Sequence, residues 1–79
     1  MNHPEELMQM LRLVTLCKKI NQFLVSLMSS MHLSEKQKND EMLNHIRKIK
    51  ELAQKNNQQD IVAMSDKFLS LFSLFGKKS

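Results

Sequence analysis

Apolar residues along this chain recur at intervals of three and four, in three stretches separated by short polar breaks. That period predicts helix, and no stretch alternates cleanly with a period of two. The first stretch runs from Leu7 to Met31. At ~100° per residue, Arg12, Thr15, Lys18, Lys19, Gln22, Ser26, Ser29 and Ser30 share one face about 120° wide. Leu7, Met10, Leu11, Leu13, Val14, Leu16, Cys17, Ile20, Phe23, Leu24, Val25, Leu27 and Met28 take nearly all the rest. This arc is about twice the roughly 100° stripe of an ordinary surface helix, so the helix needs more than one apolar neighbour. Its start lies in "NHPEE": Asn2 or His3 can cap, Pro4 suits the first turn, and Glu5 and Glu6 complement the positive helix end. The predicted span is 4–31.

The second helix opens at "LSEKQ", where Ser34 and Gln37 have capping-box spacing and Glu35 suits the dipole. Met42, Ile46, Ile49 and Ala53 form a narrow seam of coiled-coil type, flanked by Leu43 and Leu52. Glu51 and Lys55 have the spacing of a favourable ion pair. The opening turns, "EKQKND", carry no apolar residue and are expected to project into solvent or fray. The span is 35–56, with Asn56 or Asn57 able to end it in a left-handed conformation. Asn57 or Asp60 can cap the third helix, 59–75. There Ile61, Met64, Phe68, Leu71, Phe72 and Phe75 fall within about 100° of arc. Ser70, Ser73, Asp66 and Lys67 take the other side, while Val62, Leu69 and Leu74 widen the stripe. Gly76 suits a C-cap, and Lys77 and Lys78 suit the negative helix end.

At ~1.5 Å per residue the helices would be about 40, 30 and 25 Å long. The links are short, so consecutive helices are expected to run antiparallel. The chain, 1–79, therefore reads as one all-α domain: a three-helix antiparallel bundle with a long first helix. Its expected core is Leu7, Leu11, Val14, Leu24 and Met28 from the first helix, with Met42, Ile46, Ile49 and Ala53 from the second. The third helix would add Ile61, Met64, Phe68, Leu71, Phe72 and Phe75. Two shorter helices cannot cover the whole first arc. Leu13, Leu16, Ile20, Phe23 and Leu27 are left as the expected interface. A second copy, packing helix 1 on helix 1 into a larger bundle, is the expected cover, and a different protein is the other occupant. Ile20→Asp is then expected to dissociate the assembly while sparing helicity.

Composition adds little chemistry. The chain has 79 residues, one Gly, one Pro, and neither Tyr nor Trp. A core of this size seldom supplies more than ~3–5 kcal/mol, which again favours a partner. Cys17 is the only cysteine, so it forms no internal disulfide and suits a reducing compartment. The opening "MNHPEELM" lacks a basic start and an apolar run, and no segment reaches the ~18 apolar residues of a spanning helix. A soluble, cytoplasmic protein is expected. The formal net charge of +4 invites nucleic acid. The basic residues are scattered, however, and the third helix, which would read a groove, is the most apolar. A small DNA- or RNA-binding regulator is therefore the alternative. A second alternative is a membrane-surface protein anchored by its amphipathic C-terminal helix, although Lys67 there is balanced by Asp66.

No nucleophile motif, phosphate-binding glycine loop or HExxH helix is present. Cys17 sits beside Lys18, a cation of the kind found next to nucleophilic thiols, but its place on the apolar arc points to an inert core residue. Met28, Met31 and His32 offer soft ligands of the kind that suit Cu(I), yet these methionines stand where core residues belong. No metal or cofactor is assigned. The seven methionines suit an adaptable binding surface. The expected function is non-catalytic: an intracellular interaction, adaptor or regulatory protein acting through an apolar helical surface.

Overall fold

Helix α1 begins at Pro4, whose fixed φ and missing N–H suit a first turn, and runs to Met28. A computed structural model describes residues 4–76, with side chains as far as Leu74. Asn2, His3, Lys77 and Lys78 lie outside the described residues, as does the Phe75 side chain. Helices α2 and α3 span Glu35–Lys55 and Gln59–Gly76. Among the described residues these three helices are the only regular structure. The molecule is elongated, 50 × 21 × 20 Å.

Each boundary has a local cause. Helix α1 stops three residues before the expected Met31. The Ser30 N–H turns to the Leu27 carbonyl, and the Ser30 hydroxyl donates at 3.1 Å to the Ser26 carbonyl that a continuing helix would have used, while the Ser29 hydroxyl adds a second bond, also 3.1 Å, to the Val25 carbonyl. The Ser34 capping box forms: the Gln37 N–H donates to Ser34 Oγ, and the Ser34 N–H donates to Gln37 Oε1. With this cap "EKQKND" is helical from Glu35, and Lys36–Asp40 and Lys38–Glu35 pair along it at 3.7 Å. The expected Glu51–Lys55 pair is not among the ion pairs of the described residues. At the other end of α2, Asn57 takes φ 56°. Its N–H donates to the Gln54 carbonyl and that of Gln58 to Ala53, the two bonds of a Schellman stop. The Gln58 carbonyl then accepts from Ile61 and Val62 and opens α3, a place the sequence reading gave to Asn57 or Asp60.

Helices α2 and α3 make the most extensive contact, and α1 lies across the pair. The buried core is Leu16, Ile20 and Leu27 from α1, Met42, Ile46 and Ala53 from α2, and Ile61 from α3. Ser65 is buried with them, and its small side chain, like Ala53, lets helix backbones come close. Ile49, Met64, Phe68 and Phe72 pack against this core half-buried, together with Val62 and Leu69. The inward face of α3 is thus turned by ~60° from the stripe drawn on its aromatics, towards Ser65. Leu71, assigned to the core, lies exposed at the edge of that face. Two ion pairs bind the helices laterally. Arg12 donates through Nε and Nη2 to Asp60 Oδ2, both at 3.1 Å, and Lys50 meets Asp66 at 2.6 Å.

Candidate interaction surface

The face of α1 turned from α2 and α3 is built of large apolar side chains. Leu7, Met10, Leu11, Val14, Val25 and Met28 are each more than half exposed, Val14 to 63% and Met28 to 68%. Cys17 and Asn21 lie on the same strip and are exposed. The strip runs the length of the helix, with Lys18 as its one basic member. Its midline stands ~120° round the helix from that of the core-facing residues. Scattered single apolar residues are normal on a protein surface, whereas a contiguous strip marks a contact surface.

Beside the strip, α1 and the α2–α3 corner enclose an open groove of about 430 Å³. Its floor is Leu16, Ala53 and Ile61, its walls include Met8, Leu11 and Leu52, and Arg12, Lys19 and Gln58 stand at its rim. Leu52 and Met8 are both more than half exposed. Leu11 belongs to groove and strip alike, so the two form one continuous apolar region.

The two arcs expected on α1 have exchanged roles. Leu16, Ile20 and Leu27, expected as interface, are buried in the chain's own core, Ile20 to 4% exposure. Leu13 and Phe23 are half-buried against that core. Leu7, Leu11, Val14 and Met28, expected as core, are exposed. Leu24 is half-buried between the arcs. The physical reason is visible in the residues. Between Leu13 and Leu27 the arc of Leu13, Leu16, Ile20, Phe23 and Leu27 has no polar member, whereas Lys18 and Asn21 interrupt the arc of Leu7, Val14 and Val25. An uninterrupted arc can be buried without desolvating a charge or an amide. Of the α2 and α3 residues assigned to the core, Met42, Ile46, Ala53 and Ile61 are buried, and Ile49, Met64, Phe68 and Phe72 are half-buried.

Cys17, read as a buried core residue, is exposed. His45 was unassigned by the sequence reading. Its ring stacks on Phe23 at a centroid distance of 4.0 Å and an interplanar angle of 4°. Its Nε2 is buried with no hydrogen-bond partner. Desolvation holds its pKa below the ordinary 6.5, and the charges of Lys48 and Lys19 act in the same direction. Met31 and His32 are exposed in the turn after α1. Among the described residues no group of three His, Cys, Asp or Glu side chains is placed to hold a metal ion, and no helix is long and apolar enough to cross a membrane.

Over the described residues the chain is a small all-α protein of three helices, and α1 presents an open apolar face. Comparison with protein-family models, curated proteins and solved structures finds no match for it.

Proposed function

We propose that the chain is a non-catalytic, intracellular protein-interaction module whose working surface is the exposed apolar face of α1, and that a second copy is its first partner. The observation that carries this reading is the strip Leu7, Met10, Leu11, Val14, Val25 and Met28, left open along the whole helix. A core of seven buried apolar side chains among the described residues supports it as well. So small a core gains stability when a partner covers more surface. Within one copy the helices form an antiparallel bundle. The pairing of Phe23 with His45, Arg12 with Asp60 and Lys50 with Asp66 favours this arrangement.

A regulator of DNA or RNA has less support. The basic residues are dispersed, and Arg12, Lys36, Lys38 and Lys50 already meet carboxylates. Sedimentation velocity over a range up to roughly 100 µM tests the main reading, since a modest interface gives micromolar affinity. The expected result is a shift from monomer to dimer with rising concentration. A single monomeric species throughout removes self-association. Salt-sensitive retention on heparin would instead favour the nucleic-acid reading.

A further inference from the structure

The exposed strip of α1 has an internal order that its exposure alone does not require. Leu7, Met10, Val14, Cys17, Asn21, Leu24 and Met28 follow one another at intervals of three, four, three, four, three and four. This is the spacing of a coiled-coil seam, with Leu7, Val14, Asn21 and Met28 at its first position and Met10, Cys17 and Leu24 at its second. All lie within the continuous helix Pro4–Met28, and all but Leu24 are exposed. Resting on the self-association reading above, we propose that α1 pairs with α1 of a second copy as a parallel, in-register coiled coil along this seam.

Asn21 decides the orientation. In a parallel, in-register pair each first-position residue faces its own counterpart, so the two Asn21 amides meet and can hydrogen-bond to each other. In an antiparallel pair, first positions face second positions in every register. Each Asn21 would then face Cys17, Leu24 or Met10, and burying an amide without a partner costs about 1–3 kcal/mol. A single asparagine at a first position is a known device for fixing register and strand number. Val14 at a first position with Leu24 at a second favours two strands.

Charge points the same way. In a parallel pair the position flanking the seam across from Lys18 is Leu13 of the other copy, so no like charges are opposed. The antiparallel pairing centred on the helix sets the two Lys18 side chains alongside each other, which is unfavourable. Area sets the strength. Six side chains left more than half exposed present on the order of 600 Å² per copy, about 1,200 Å² for the pair, the lower bound of a stable interface. A dissociation constant in the micromolar range is therefore expected. The seam keeps Asn21 for specificity at the expense of tighter binding.

Cys17 is a built-in reporter. In the parallel pair both Cys17 side chains lie on the dimer axis, within reach of a disulfide, whereas the antiparallel layers separate them. The test treats the full-length, reduced protein with diamide, at a concentration where sedimentation finds dimer, and reads the products on a non-reducing gel. Rapid, near-complete conversion to a Cys17-linked dimer is expected, and Val14→Asp abolishes it. Two cysteine transfers in a Cys17→Ser background control for collision: Asn21→Cys links as fast, and Ser26→Cys, off the seam, at least tenfold more slowly. If dimer forms but Cys17 and Asn21→Cys link no faster than Ser26→Cys, the parallel seam is wrong and self-association by another geometry stands. A protein monomeric at every concentration overturns both.

Discussion

At the scale of single residues, burial leaves two polar groups unanswered among the described residues. Ser65 is fully buried between helices, and its Oγ has no hydrogen-bond partner. An orphaned hydroxyl is unfavourable, and Ala has the higher helix propensity. Ser65→Ala is expected to stabilise the protein by about 1 kcal/mol, read as a rise in the urea midpoint. A drop in that midpoint would mean that the hydroxyl has a partner after all. His45 is the second case. Its ring is pressed on Phe23, and desolvation, then Lys48 and Lys19, favours its neutral form. Because the folded pKa is lowered, the unfolded chain takes up the proton first as pH falls. Stability is therefore fully present above about pH 6.5 and declines below it. The thermal midpoint should drop between about pH 7.5 and pH 5.5, and His45→Phe should flatten that part of the curve. An equal slope in both proteins would contradict this assignment. Neither Ser65 nor His45 announced itself in the sequence. A serine between Met64 and Asp66 reads as surface, and burial of His45 depends on Phe23, far away along the chain.

Among the elements, α1 is the one whose attachment needs explaining, because α2 and α3 hold each other more extensively. Arg12 fastens it near its start: Asp60, with a side chain 6% exposed, takes both contacts on Oδ2. Arg12→Ala leaves that carboxylate without its partner and should cost about 1.5–3 kcal/mol. The measurement is chemical denaturation, with hydrogen exchange expected to rise first in the opening turns of α1. An effect under about 0.5 kcal/mol would reduce the pair to a surface contact. The three helices, the Ser34 cap and a left-handed stop at Asn56 or Asn57 were legible in the sequence because each rests on local chemistry, and the stop falls on Asn57. Two things were less so. The end of α1 turned on what the Ser30 amide and hydroxyl bond. The facing of α1 turned on which of two apolar arcs meets α2 and α3. The signal for the second was present: Lys18 and Asn21 mark the arc that stays open in one copy, and from Leu13 to Leu27 the arc of Leu13, Leu16, Ile20, Phe23 and Leu27 has no such mark.

At the scale of the whole molecule, the elongated shape, the thin core and the open strip are the features that the proposed self-association would explain. Covering the strip would add apolar burial of the same order as a small core, and dimer stability would then depend on concentration. The central claim is a division of labour on one helix: the face carrying Ile20 folds the chain, and the face carrying Val14 joins it to another. Circular dichroism combined with sedimentation equilibrium on Val14→Asp and Ile20→Asp tests this most directly. The account predicts that Val14→Asp remains helical and becomes monomeric. Ile20→Asp, with a charge forced into the core, should lose helicity and cooperative unfolding. The reverse pattern, an unfolded Val14→Asp beside a helical monomeric Ile20→Asp, would contradict it.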